Sequence, residues 1–246
     1  MKPRSSDLAE TPKLTVSKND RHLVFALMAM TVVTGLVDAV SFLGLGRVFT
    51  ANMTGNVVFL AFAIAGAPGL SIRLSLTSLI AFLLGATLGG RFAVAMAARS
   101  RRRWLVAIAV AEAALLFAAA LVSVGIDIGS STQSREVYGV IVLTAVAMGL
   151  RNATVRRLAV PDLTTTVLTL TLTGLAADSS LAAGSNPRIG RRVISILLMF
   201  GGAGIGAVLL RHGLSVSLVL GGVCVLVAAA TFATMPTPTA LLGDNS

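Results

Sequence analysis

Apolar and polar positions come in long blocks along this chain. Apolar runs at 22–45, 50–66, 74–97, 104–125, 137–155, 162–182, 193–211 and 214–233 are separated by short polar connections. Most approach the roughly 17 to 25 residues that a helix needs to cross hydrocarbon. The pattern predicts an all-α integral membrane protein. A polar stretch, 1–21, precedes the first run, which is too long for a signal-peptide core and lacks a small-residue cleavage site. It is read as an uncleaved first helix. The tail 235–246, broken by Pro236 and Pro238, is read as a short polar end.

Two runs contain polar residues where lipid would not accept them. One holds NMTGN, Asn52 to Asn56; the other is PDLTTTVLTLTLTGLAAD, Pro161 to Asp178, where threonines crowd an apolar background. Irregular backbone at membrane depth survives only where protein or a water-filled cavity surrounds it. Gly55 offers a place to unwind, and Asn52, Thr54 and Asn56 offer partners for freed backbone groups. Thr166, Thr169 and Thr171 offer the same in the later run. The competing reading is plain helix packing by small and hydroxylated residues, with each Thr bonded one turn back.

Composition agrees with the pattern. The 246 residues are 55% hydrophobic and 12% charged, against about 25% charged in soluble domains. The net charge of +10 sits in short connections, which is the positive-inside signal of a polytopic protein and not a nucleic-acid surface. A single cysteine, Cys224, excludes a disulfide within one chain, and His22 and His212 form no metal-ligand cluster. No metal or cofactor is expected.

Charge also counts the crossings. The basic connections are the N-terminus, Arg99 to Arg103, Arg156-Arg157 and Arg188 to Arg192. Eight full spans would put the first two on opposite sides. If the second and sixth runs enter and leave on one side, every basic connection becomes cytoplasmic. Six spans and two re-entrant or broken segments are therefore predicted, with the N-terminus cytoplasmic.

An internal repeat follows the same division, 22–125 and 137–234 joined by a loop at 126–136. Gly35 meets Gly149, Leu36 meets Leu150, Asp38 meets Asn152 and Thr50 meets Thr164. With small slips, Thr54 meets Thr169, Gly85 meets Gly202 and Gly89 meets Gly206. Three crossings per half make the repeats inverted, a plan recurrent in transporters, with binding at the repeat interface. The two polar runs are then expected to meet near mid-membrane.

TGLVDAVSFLGLGRVFTANMTGN together with MGLRNATVRRLAVPDLTTTVLTLTLTGLAAD resembles the YoaK family of bacterial inner-membrane proteins, over about residues 22–235. Leu170 departs from it, where glycine is expected between threonines. The resemblance implies a cytoplasmic-membrane location and about six spans. It implies no substrate and no functional residues.

The remaining chemistry is ionisable. Asp38 lies within the first run, with Thr31, Thr34 and Ser41 on its face. Glu112 lies within the fourth run, Arg91 late in the third and Arg151 late in the fifth. A carboxylate at such depth is costly and marks a site or an ion pair; Arg91 and Arg151 are its candidate partners, although both are near enough to run ends to snorkel instead. Gly85-Gly89 and Gly202-Gly206 carry GxxxG spacing, which allows close packing within a chain or in a homo-oligomer. No serine has a plausible base, and no phosphate loop occurs, so no enzyme is expected. The sequence thus points to a small secondary transporter or permease for a small molecule. The alternative is a non-transporting membrane protein that scaffolds or stabilises a partner.

Overall fold

The computed structural model describes residues 18–96, 100–126, 134–158, 168–185 and 189–235. Eight α-helices occur among them: α1 Lys18–Gly44, α2 Met53–Ile64, α3 Ile72–Met96, α4 Arg101–Val122, α5 Arg135–Leu158, α6 Leu168–Ala177, α7 Ile189–Leu209 and α8 Leu214–Ala233. Six are long and apolar enough to cross a membrane, and α2 and α6 are not. The 12 residues of α2 span about 18 Å at 1.5 Å per residue, against roughly 30 Å of hydrocarbon.

Local chemistry explains where α1 stops. Gly46 (φ 87°) and Arg47 (φ 58°) turn left-handed. The Arg47 amide then bonds the Phe42 carbonyl at 3.2 Å, closing the helix end on itself. The end of α2 repeats the device, with Gly66 at φ 85° and the Ala67 amide on the Phe62 carbonyl at 3.0 Å. Between them, residues 45–52 form an irregular elbow.

Glycines set the interhelical contacts. A Cβ on Gly202 would strike the Val32 carbonyl, and one on Gly206 would stand 2.9 Å from that of Leu36. So α1 and α7 touch backbone to backbone and run parallel. A Cβ on Gly85 would strike the Val146 carbonyl, and one on Gly89 would stand 3.1 Å from that of Leu150, so α3 and α5 also run parallel. The pairs correspond: Val32 and Leu36 shift to Val146 and Leu150 by one offset, and Gly85 and Gly89 to Gly202 and Gly206 by another. Gly35 against α7 and Gly149 against α3 complete the set. All four GxxxG glycines are therefore used inside one chain.

The remaining contacts fix the directions. Gly139 of α5 meets Val122 of α4, and Gly44 of α1 meets Leu214 of α8; both pairs are antiparallel. The start of α1 thus shares one end of the bundle with the starts of α4 and α7 and the ends of α3, α5 and α8. Arg21, Arg101, Arg102, Arg103, Arg156, Arg157, Arg191 and Arg192 collect there. The elbow and α2 connect helices at the opposite end, and α6 connects helices at the basic end. Each short helix thus falls between two spans whose joined ends share one end of the bundle.

Candidate functional site

The elbow is held by one side chain. Asn56, in the first turn of α2, is fully buried. Its Oδ1 accepts the Phe49 amide at 2.9 Å, while its Nδ2 donates to the Phe49 carbonyl and, at 3.1 Å, to Ser78 Oγ of α3. Ser78 Oγ donates to the same carbonyl at 2.6 Å. The amide thereby supplies the bonds that Phe49 loses by leaving the helix, which buried backbone requires. Phe42, Phe49 and Phe59 stack around it with centroids 5.1 to 5.9 Å apart. Gly55 does not unwind the chain: α2 is helical through it, and a Cβ there would lie 2.7 Å from the Phe49 ring. Its smallness seats that ring. Asn52 and Thr54 face outward.

Asp38 meets the elbow from α1. It is 8% exposed, and the backbone amides of Ala51 and Asn52 turn towards its carboxylate. These amides immediately precede α2, where the helix dipole favours negative charge. Asp38 Oδ1 is nevertheless buried without a hydrogen-bond partner, as is the hydroxyl of neighbouring Thr50. Thr31, Thr34 and Ser41 each donate to their own helix, to Leu27, Met30 and Asp38 carbonyls at 2.9, 3.0 and 3.2 Å.

One turn deeper lies the strongest electrostatic feature among the described residues. Arg151 of α5, 1% exposed, pairs through Nη2 with Oε1 of Glu112 of α4, which is 0% exposed. Its Nη1 donates to the Met30 carbonyl at 2.8 Å and to Thr34 Oγ1 at 3.0 Å. Three helices from both halves therefore meet at one guanidinium. Burial of this kind stabilises little net, yet removing one partner strands a charge. Arg151 Nε and Glu112 Oε2 keep no partner. A cavity of about 10 Å³ borders the pair, lined by Leu27, Met30, Leu105, Thr154, Leu158 and Phe232 among others. That is room for about one water. All those residues lie on the basic-end side of the pair.

The later polar run behaves differently. α6 is helical from Leu168, so the period-two threonines of TLTLT point to several faces: Thr171 is buried, while Thr169 and Thr173 face outward. Thr164 and Thr166 lie outside the described residues. Arg192 of α7 crosses Gly174, donates to its carbonyl and pairs with Asp178 Oδ2 at 2.8 Å.

Several expectations need correction. Among the described residues the two polar runs do not converge: α2 packs on α3, and α6 on α7. Each short helix finds its polar partners on the span that follows it. Arg91 is exposed on α3 and stands apart from the ion pair. Asn152, although matched to Asp38, is half-buried and donates to the Met148 carbonyl of its own helix at 2.8 Å. Arg151 does not snorkel. Of the two arginines expected as partners for Glu112, Arg151 forms the ion pair and Arg91 does not. Ser78 stands with Ser75 and Thr77 among the hydroxyl residues early in the third run, and nothing in the sequence singles it out as the partner of Asn56.

The residues 26–231 match the model of a family described as a protein of unknown function, DUF1275. The chain belongs to this family. It is also similar to the UPF0700 transmembrane protein YoaK of Bacillus subtilis strain 168, at 34% identity over 164 residues, covering 65% of this chain and 68% of that protein. No solved structure matches the chain. Family membership agrees with six apolar helices in a membrane protein and adds no chemistry to the site.

Proposed function

We propose that the chain is a small secondary transporter or permease of the cytoplasmic membrane, built from two inverted repeats and acting on a small molecule without catalysing a reaction. One observation carries this reading. Two helices too short to span enter from opposite ends, and the first presents its N-terminal amides to a buried carboxylate, Asp38, that keeps an unpartnered oxygen. Discontinuous helices whose ends meet charge within the membrane are the recurring means by which inverted-repeat transporters hold cargo or coupling ions. Matching glycine crossings in the two halves support the repeat.

The arginine excess at one end supports a cytoplasmic placement of that end and of the start of α1. Single cysteines in a Cys224→Ser background, probed with an impermeant thiol reagent from outside the cell, test it. Protection at the 99–103 cluster is expected; labelling there overturns the orientation.

Transport is tested by comparing metabolite uptake and efflux between deletion and overexpression strains, then by flux in proteoliposomes. Asp38→Asn keeps shape while removing charge and proton. Lost flux with an unchanged melting temperature is the expected result; unaltered flux removes Asp38 from the pathway. The second reading, a scaffold that stabilises a partner, is favoured by the close-packed interior, whose cavity beside the ion pair holds about one water. Absence of any flux, with loss of a partner protein in the deletion strain, selects it.

A further inference from the structure

Arg151 stands between two carboxylates that face opposite ends of the bundle. On one side is Glu112, bordered by the small cavity whose lining belongs to the basic end. On the other is Asp38, one helical turn beyond Thr34, beside the elbow near the opposite end. The Arg151 guanidinium already touches Thr34, and Asp38 follows Thr34 by one turn on the same face of α1. Each of the three charged side chains keeps one buried polar atom without a partner: Asp38 Oδ1, Glu112 Oε2 and Arg151 Nε. Two acids and one base leave one negative charge inside the protein. Such a charge is costly to bury unless neutralised.

We infer that Asp38, Arg151 and Glu112 form a single proton-binding site, in which one proton neutralises the triad and Arg151 pairs with whichever carboxylate is ionised. The step is a simple acid–base one. A proton arriving at Glu112 converts its carboxylate to the acid and weakens the pair with Arg151. The guanidinium then swings past Thr34 to Asp38, which remains ionised. Transfer in the other sense frees Arg151 for Glu112, the arrangement seen here. Because the carboxylates face opposite ends, alternation of the arginine changes the side on which the proton is held. Thr34 Oγ1 and the Met30 carbonyl are the fixed acceptors that keep Nη1 bonded at this arrangement.

Other ionisable groups around the triad do not enter it. On α7, Arg192 is engaged with α6. On α8, Cys224 is half-buried, and on α3, Arg91 is exposed. His22 of α1 is at the basic end, and the terminal arginines of α4 and α5, Arg101 to Arg103 and Arg156-Arg157, are exposed there. Arg47 of the elbow is exposed and lies against Gly69.

Infrared difference spectra of the full-length protein in lipid, between acid and neutral pH, test the site through the carbonyl stretch of buried protonated carboxyls. The wild-type chain should show a band equal to one proton per chain. Glu112→Gln leaves Arg151 and Asp38, a neutral pair, so the band should disappear even though Asp38 is intact. A band retained in Glu112→Gln means that Asp38 titrates alone, and overturns the inference. Should that variant fail to fold, carbon-13 labelling of the wild-type protein decides the matter. Part of the band should move with labelled aspartate and part with labelled glutamate; movement with one label only, or no titrating band, overturns the site. The inference deepens the transport reading but does not depend on measured flux. A shared band in a protein that moves no substrate would sustain the triad and defeat transport alone.

Discussion

α1 and α5 hold corresponding places in the two halves and differ in what they carry. Each lies parallel to the third helix of the other half, across a glycine pair that admits no side chain. Directly after the second crossing carbonyl, Leu36 in α1 and Leu150 in α5, α1 has Val37 and Asp38, whereas α5 has Arg151 and Asn152. The same backbone contact thus delivers a carboxylate from one helix and a guanidinium from the other. The two crossings share a glycine–carbonyl contact and differ in the charge beside it. The short helices repeat the lesson: α2 is tied to α3 by the uncharged Asn56–Ser78 pair, and α6 to α7 by Arg192 on Gly174 and Asp178. Packing geometry and site chemistry therefore answer to different residues.

The charge asymmetry gives the largest expected effect. Arg151→Met strands Glu112 in the core and should lower stability in detergent by about 3 to 5 kcal/mol. Replacing the pair together, Arg151→Met with Glu112→Leu, should recover most of that loss. Equal instability in the single and double variants would show that the pair matters for its shape.

The shape symmetry is tested next. Gly85→Ala and Gly202→Ala should each cost about 1 to 3 kcal/mol by overpacking, and by similar amounts, since each meets a carbonyl at the corresponding position. Gly204→Ala in α7, where a Cβ meets open space, should be neutral or slightly stabilising, given that alanine favours helix by about 1 kcal/mol over glycine. Thermal unfolding of the three variants side by side checks it; unequal losses at Gly85 and Gly202 break the comparison.

The short helices should respond unequally. Asn56→Ala leaves the Phe49 amide and carbonyl short of partners and should cost about 1 to 3 kcal/mol. Thr171→Ala in α6, buried without an amide to serve the backbone, should cost less, which parallel melting curves resolve. Smallest of all, Asn52→Ala and Thr54→Ala, on the outer surface, should change stability by less than about 0.5 kcal/mol. A large loss at either would mean that a further surface covers them.

Much of the architecture was legible in the chain. Long apolar blocks force helices, because lipid offers backbone groups no partner, and the arginine connections divide six spans from two short segments. Positions such as Gly85 and Gly202 could be matched by their order alone. Site chemistry was less legible. NMTGN reads as one polar unit, yet Asn56 turns inward while Asn52 and Thr54 turn outward, since a helix spreads neighbours over its whole circumference.

What the sequence determined by itself was the class, the number and kind of helices, and the end at which the basic residues gather; each follows from local composition and the demand that membrane backbone bond internally. Tertiary structure decided which charges meet. Glu112 and Arg151 lie on successive helices with nothing in their spacing to pair them, and Asp38 meets amides supplied by an elbow. Those contacts arise from glycine crossings that bring backbones together, so electrostatic partners depend on distances that a linear pattern does not contain.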